Sequence, residues 1–297
     1  MESEEPFDKQ FLQTKFGALH MVSRTCQSPQ SNIVLLHGLV VNSSFMTPTA
    51  QYLSHAHNVF VPDLIGNGKS DNPQRPLTVS ENADSVVEVI QNLNIQNPVL
   101  VGGSYGAQIA VELANRDINA RALVFVGPLP KQTSWQCFKG LSLDAPHEPL
   151  PLTFNVLNEI FIRMGIPRAH AMLRDIGEYP FHERLDNVNI PALVVSGEHD
   201  PFYSAAFMEK IVRVAHSTQR VCLPKSGHGL PYSRPEVISA FINSFLEATQ
   251  KEDDDRKKGV EINQNVKTNQ RVEIETAPSP RLEEPTKIDA DGNTVAA

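Results

Sequence analysis

Residues Pro98 to Ala114 constrain this chain more than any other stretch. An apolar run, Val99-Leu100-Val101, ends in Gly102-Gly103-Ser104-Tyr105-Gly106 and passes at once into Ala107-Gln108-Ile109-Ala110-Val111-Glu112-Leu113-Ala114. Run, glycines and helical pattern predict strand, sharp turn, helix. In Gly102-x-Ser104-x-Gly106 the serine takes strained backbone at the turn, and only small neighbours fit where strand and helix approach each other. Such a turn presents the hydroxyl at the C-terminal edge of a sheet. It also aims the helix's first unpaired N–H groups at any negative charge forming there. A nucleophilic serine at this place needs an acid and then a histidine later in the chain.

The remaining pattern supplies such a sheet. Phe16 to Val22, Asn32 to Leu36, Asn58 to Val61, Arg121 to Val126, Pro191 to Gly197 and Gln219 to Leu223 read as strands. Continuous apolar runs such as Ile33-Val34-Leu35-Leu36 suit strands buried on both faces. Helical periodicity falls between them, over Phe45 to Leu53, Thr78 to Leu93, Tyr203 to Val214 and Pro235 to Thr249. The alternation predicts an α/β fold with a mostly parallel sheet covered by helices on both faces. It breaks once. Residues 128–188 carry no strand pattern, only a proline-rich link and helical patterns near Phe154 to Met164 and Pro167 to Ile176. An insertion there would form a helical cap over the strand ends. The expected organisation is a core of 1–127 and 189–250, a cap of 128–188, and a charged, disordered tail of 251–297 that has no aromatic residue. The tail's partner, if it has one, is unknown.

Bulk properties exclude several classes. A net charge of −8 over 297 residues, with no basic stripe, argues against a nucleic-acid partner. Cys26, Cys137 and Cys222 are too scattered for a zinc site or disulfide framework, which fits a reducing compartment. The acidic N-terminus is unlike a signal peptide, and no apolar run approaches the about 20 residues of a membrane span, so a cytoplasmic location is expected. Gly68-Lys69-Ser70 imitates the end of a phosphate-binding loop, but Asp63 stands where its first glycine is required. His55-Ala56-His57 lacks a local third ligand and reads as an exposed helix end.

Two further residues fall where a nucleophilic serine needs them. Asp200 follows the strand Pro191 to Gly197, and His228 follows the strand Gln219 to Leu223, between Gly227 and Gly229. Both are thus expected at the same sheet edge as Ser104. Glu198 competes with Asp200 as the acid but comes earlier in the turn; His199 is expected to be structural or at the surface.

Together with His37-Gly38-Leu39, the run Asp63 to Ser70, Gly197-Glu198-His199-Asp200 and Ser226-Gly227-His228, these features resemble the α/β-hydrolase fold family over residues 15–249. The resemblance implies Ser104 as nucleophile, His228 as base, Asp200 as its orienting acid, and the backbone N–H groups of Leu39 and Tyr105 as oxyanion hole. His37 would support that loop. No metal or cofactor is implied. Serine at the turn separates the chain from family members that use aspartate there, such as epoxide hydrolases. The expected substrate is a small molecule with an ester or related acyl bond. The alternatives are carbon–carbon bond hydrolysis of ring-fission products and a ligand-binding or receptor role with vestigial activity. Trp135, Phe138, Phe154, Leu157, Phe161 and Met164 are candidates to line an acyl pocket, or else to pack the cap onto the body.

Overall fold

The computed structural model describes residues 6–257 apart from 132 and 216, together with the backbone of 271–272, 287–288 and 294–295. Eight strands, β1 (Asp8–Thr14), β2 (Gly17–Arg24), β3 (Asn32–Leu36), β4 (Asn58–Pro62), β5 (Val99–Gly103), β6 (Ala122–Val126), β7 (Ala192–Gly197) and β8 (Thr218–Leu223), pair in the order β1-β2-β4-β3-β5-β6-β7-β8. The first two pairings are antiparallel, and those from β4 through β3 to β8 are parallel. The short strand Arg271–Val272 adds to the free edge of β8.

β1 is the strand the sequence pattern does not announce. Its residues are Asp-Lys-Gln-Phe-Leu-Gln-Thr, it lies at the sheet's edge, and even Phe11 is exposed. With neither face fully covered, no apolar run is required of it. In contrast β3, β5, β6 and β7 are buried almost throughout.

Helices α2 (Val79–Asn92), α3 (Gly106–Ala114) and α8 (Ala205–Val214) cover one face of this sheet. They bury Val86, Val89, Ile109, Leu113, Met208 and Ile211 in one apolar cluster. Helices α1 (Ser43–Leu53), α9 (Leu230–Ser233) and α10 (Pro235–Lys257) cover the other through Phe45, Met46, Leu53, Leu230, Ile238, Ile242 and Phe245. Thr78 and Glu81 start α2 as a reciprocal capping box. α10 runs on through Lys251–Lys257, a segment expected to belong to the tail. Opposite charges four residues apart, as Lys251 and Asp255, suit continued helix. The disorder expected for the rest of the tail falls largely outside the described residues. His57, expected at an exposed helix end, is buried, its Nε2 3.0 Å from Asn243 Oδ1 on α10.

The insertion after β6 is helical: α4 (Ser134–Asp144), a 3-10 turn (Ala145–His147), α5 (Leu150–Asn158), a π-helical turn (Glu159–Met164), α6 (Ile166–Glu178) and α7 (Phe181–Asp186). Its last helix packs as part of the body. The Phe181 ring lies 5.8 Å from Phe125 of β6 and 5.3 Å from Phe207 of α8. Arg184 donates to buried Glu112 of α3 through Nε at 2.9 Å and Nη2 at 3.0 Å. Among the described residues no helix is long and apolar enough to cross a membrane.

Candidate active site

Ser104 occupies the turn between β5 and α3 with φ at +53°, a left-handed conformation that costs a non-glycine residue about 1–3 kcal/mol. Its surroundings hold it there. Ser104 N–H donates to Val126 O at 2.9 Å, and Ala107 N–H donates to Ser104 O at 3.0 Å. The flanking glycines have steric reasons. A Cβ on Gly102 would overlap the backbone of Gly106, and one on Gly106 would overlap the carbonyl of Leu36 at the end of β3. Strand, turn and helix thus approach more closely than any side chain permits.

Asp200 and His228 lie against each other. His228 Nδ1 lies 2.9 Å from Asp200 Oδ2, with both side chains largely buried. A carboxylate can only accept, so Nδ1 carries the proton and the neutral imidazole keeps its lone pair on Nε2. The other carboxylate oxygen, Oδ1, accepts from Phe202 N–H at 2.8 Å. Gly127, with φ at +55°, links this pair to the serine turn. The residue before it bonds Ser104, and a Cβ on Gly127 would lie 3.1 Å from His228 Nδ1 and 3.3 Å from Asp200 Oδ2. Burial opposes charging His228, but Asp200, with Asp144 and Glu148 behind it, raises its pKa above the ordinary value.

The other acid candidate faces away. Glu198 is exposed and accepts from Lys225 N–H at 2.8 Å, while His199 is exposed and contacts the ring of His147.

His37 supports the loop opposite the serine. Its Nε2 accepts from Leu64 N–H at 3.0 Å, so Nδ1 must carry the proton and donate to Gly38 O at 2.8 Å. Burial lowers its pKa, which keeps this neutral tautomer. Asp63 braces the same region, accepting from Ser43 N–H at 2.6 Å and Lys69 N–H at 2.8 Å. The stretch that imitates a phosphate loop is therefore a carboxylate-centred turn, with Gly68 packed against Asp63 at φ +53°. Gly38 lies against Ser104, since a Cβ on it would come within 3.1 Å of the serine Cβ. Among the described residues neither Leu39 N–H nor Tyr105 N–H is engaged by a protein acceptor. The Tyr105 side chain lies in the core, its hydroxyl accepting from Asn82 Nδ2 at 3.3 Å.

The apolar cap candidates are not brought to this site as a group. Trp135, Phe138, Phe154, Leu157 and Phe161 are exposed, so the reading that they pack the cap onto the body is incorrect for these five. Met164 alone is buried, in the apolar cluster shared with the body. An aromatic residue outside the expected set, Phe202, packs edge-on against the His228 ring at 4.7 Å between centroids.

Charged cap residues that sequence reasoning passed over reach the loops of this site instead. Asp144 Oδ1 accepts from His228 N–H at 2.8 Å, Glu148 Oε1 from Gly229 N–H at 2.7 Å, and Glu159 Oε1 from Asn42 Nδ2 at 2.6 Å. A signal existed: between Lys139 and Arg163 these acids are the only Asp, Glu, Lys or Arg residues. Burial, with Asp144's charge, pushes the Glu148 carboxyl up to about 7, and burial raises Asp144 as well.

Residues 33–241 match the model of the alpha/beta hydrolase family, well over half of the chain. The chain belongs to that family. Among curated relatives, an uncharacterised protein of Mycobacterium tuberculosis is 32% identical over 82 residues, which are 28% of this chain and 24% of that protein, so the match spans about a quarter of the relative's length. The pimeloyl-[acyl-carrier protein] methyl ester esterase of Vibrio cholerae is 26% identical over 73% of this alpha/beta hydrolase chain and 93% of its own length. Among solved structures, a carboxylesterase of Bacillus subtilis superposes with a TM-score of 0.65 at 18% identity, covering 82% of this chain and 92% of the other; at that identity the likeness concerns the fold.

Proposed function

We propose that the protein is a serine hydrolase of carboxylic esters, with Ser104 as nucleophile, His228 as general base and Asp200 as orienting acid. The observation that carries this reading is the strained Ser104 turn joined through Val126 and Gly127 to a largely buried His228–Asp200 pair. Relatives that act on esters support the same chemistry.

In this mechanism Ser104 Oγ attacks the ester carbonyl as its proton passes to His228 Nε2. The carbonyl oxygen becomes an oxyanion facing the N–H groups of Leu39 and Tyr105. The helix α3, which starts at Gly106, adds its positive end to that position. His228 then gives its proton to the departing alkoxide, leaving an acyl group on Ser104. A water deprotonated by the same Nε2 attacks the acyl carbon, and the tetrahedral intermediate collapses to release the acid and restore the serine. Asp200 holds the imidazole in the required tautomer and stabilises the imidazolium formed in each half-reaction.

Substrate charge is constrained by the carboxylates. With Asp144 and Glu148 beside His228, a neutral ester is favoured over an anionic substrate. Of the acyl-pocket candidates, Trp135, Phe138, Phe154, Leu157 and Phe161 are exposed and remain open to contact with a substrate, whereas Met164 is already packed.

The test is turnover of p-nitrophenyl esters of graded chain length by the full chain, by Ser104→Ala and by a chain ending at Lys257. The expected result is turnover lost in Ser104→Ala and kept in the truncated chain. Failure of the full chain on every ester would overturn the esterase reading and leave carbon–carbon bond hydrolysis or ligand binding to be tried.

A further inference from the structure

The loop that carries His228 is gripped from above by the cap. Asp144, at the end of α4, accepts the His228 N–H, and Glu148, just after the 3-10 turn, accepts the next N–H, that of Gly229. These are backbone donors of the base and its neighbour, so the two carboxylates fix where the loop stands. The fit is close on both sides of the histidine. A Cβ on Gly227 would overlap Asp144 Oδ1 and stand 2.7 Å from Glu148 Oε1; one on Gly229 would stand 2.5 Å from Glu148 Oε2 and 2.6 Å from Leu152 Cδ2. The glycines around His228 thus leave room for cap side chains, and neither is at a positive φ. A further cap contact reaches the ring itself. Gly140 of α4 lies under Phe202, which packs edge-on against the His228 imidazole.

We propose that Asp144 and Glu148 are positioning residues of the catalytic base: they register the His228 loop against the serine turn and add negative charge beside the imidazole. This rests on His228 being the base. The carboxylates facing His228 are then Asp200 from the loop after β7 and Asp144 and Glu148 from the cap; His147 lies on the same 3-10 turn, its ring against His199. Each carboxylate favours the imidazolium form, so removing one charge makes His228 easier to deprotonate. Misplacing a base by about 1 Å is enough to cost on the order of 10²-fold in rate.

The experiment compares Asp144→Ala, Asp144→Asn, Glu148→Ala and Glu148→Gln with the native chain by three readouts: kcat and KM on a short p-nitrophenyl ester, the pH profile of kcat/KM, and the NMR titration of the His228 imidazole in a Ser104→Ala background. The alanine variants are expected to lose about 10–100-fold in kcat with KM little changed. Asn and Gln, which keep an acceptor oxygen, should recover most of kcat while the acid limb and the imidazole titration move to lower pH. Should the alanine variants fail to fold, the Asn and Gln titrations decide. Unchanged kcat and an unmoved titration would overturn the inference while leaving the esterase reading intact. A moved titration in a chain that hydrolyses no ester would instead uphold the placement of the loop and count against the esterase reading.

Discussion

The serine turn and the histidine loop are both flanked by glycines, yet the glycines answer to different parts of the molecule. At Ser104, added Cβ atoms on Gly102 and Gly106 would strike backbone belonging to the turn itself and to β3. At His228, added Cβ atoms on Gly227 and Gly229 would strike Asp144, Glu148 and Leu152, all side chains of the cap. Ser104 is held by the sheet; the His228 loop is held by the insertion through Asp144 and Glu148, and its ring by Asp200. On the proposed assignment the cap belongs to the catalytic framework, and a change that shifts it moves His228 relative to Ser104.

The comparison predicts unequal costs for the same substitution. Gly106→Ala sets a methyl against an immovable carbonyl of the central sheet, so a loss of about 3 kcal/mol or more in folding stability, or failure to fold, is expected in urea melts. Gly227→Ala meets the ends of side chains and should cost about 1–3 kcal/mol. Adding Asp144→Ala to it should return part of that loss, because the overlapping oxygen is gone. A double variant whose costs simply add would break the comparison.

A smaller effect sharpens it through pH. Glu148 has a folded pKa of about 7 against an ordinary 4.5. The folded state then binds its proton more tightly than the unfolded chain, so this group's contribution to stability is present below about pH 4.5 and declines as pH rises to about 7. Melting curves at pH 5 and 8 should show a smaller loss for Glu148→Gln than for the native chain. Equal losses would mean that the Glu148 environment is not as described.

The smallest effect belongs to the cap's outer surface. Trp135→Ser and Phe154→Ser, at residues each 71% exposed, should change stability by no more than about 0.5 kcal/mol. A large loss in thermal melts would show that these rings pack after all.

Sequence made the body legible because the body obeys local rules. Strands buried on both faces must be continuous apolar runs, which marks β3 and β5 to β7. At the Ser104 turn the contact of Gly102 with Gly106 lies within one short segment, so the glycine spacing is readable, whereas the contact of Gly106 with Leu36 of β3 needs the fold. β1 was hidden by its place at a solvated edge, where polar residues suffice. The roles of Asp144 and Glu148 were hidden for a different reason. Their partners are backbone N–H groups 84 and 81 residues away, and a backbone donor leaves no mark on the sequence. Only the run of unpaired acids in an apolar cap, and glycines on both sides of His228, hinted at them.

The most direct test of the central assignment is a pre-steady-state measurement on the full chain with a p-nitrophenyl ester, followed by mass spectrometry of the quenched protein. The account predicts a burst of p-nitrophenol stoichiometric with protein and an acyl group on Ser104, with acylation slowed on the order of 10³-fold or more in His228→Ala. An acyl group on another residue, or acylation of Ser104 at an undiminished rate without His228, would contradict it.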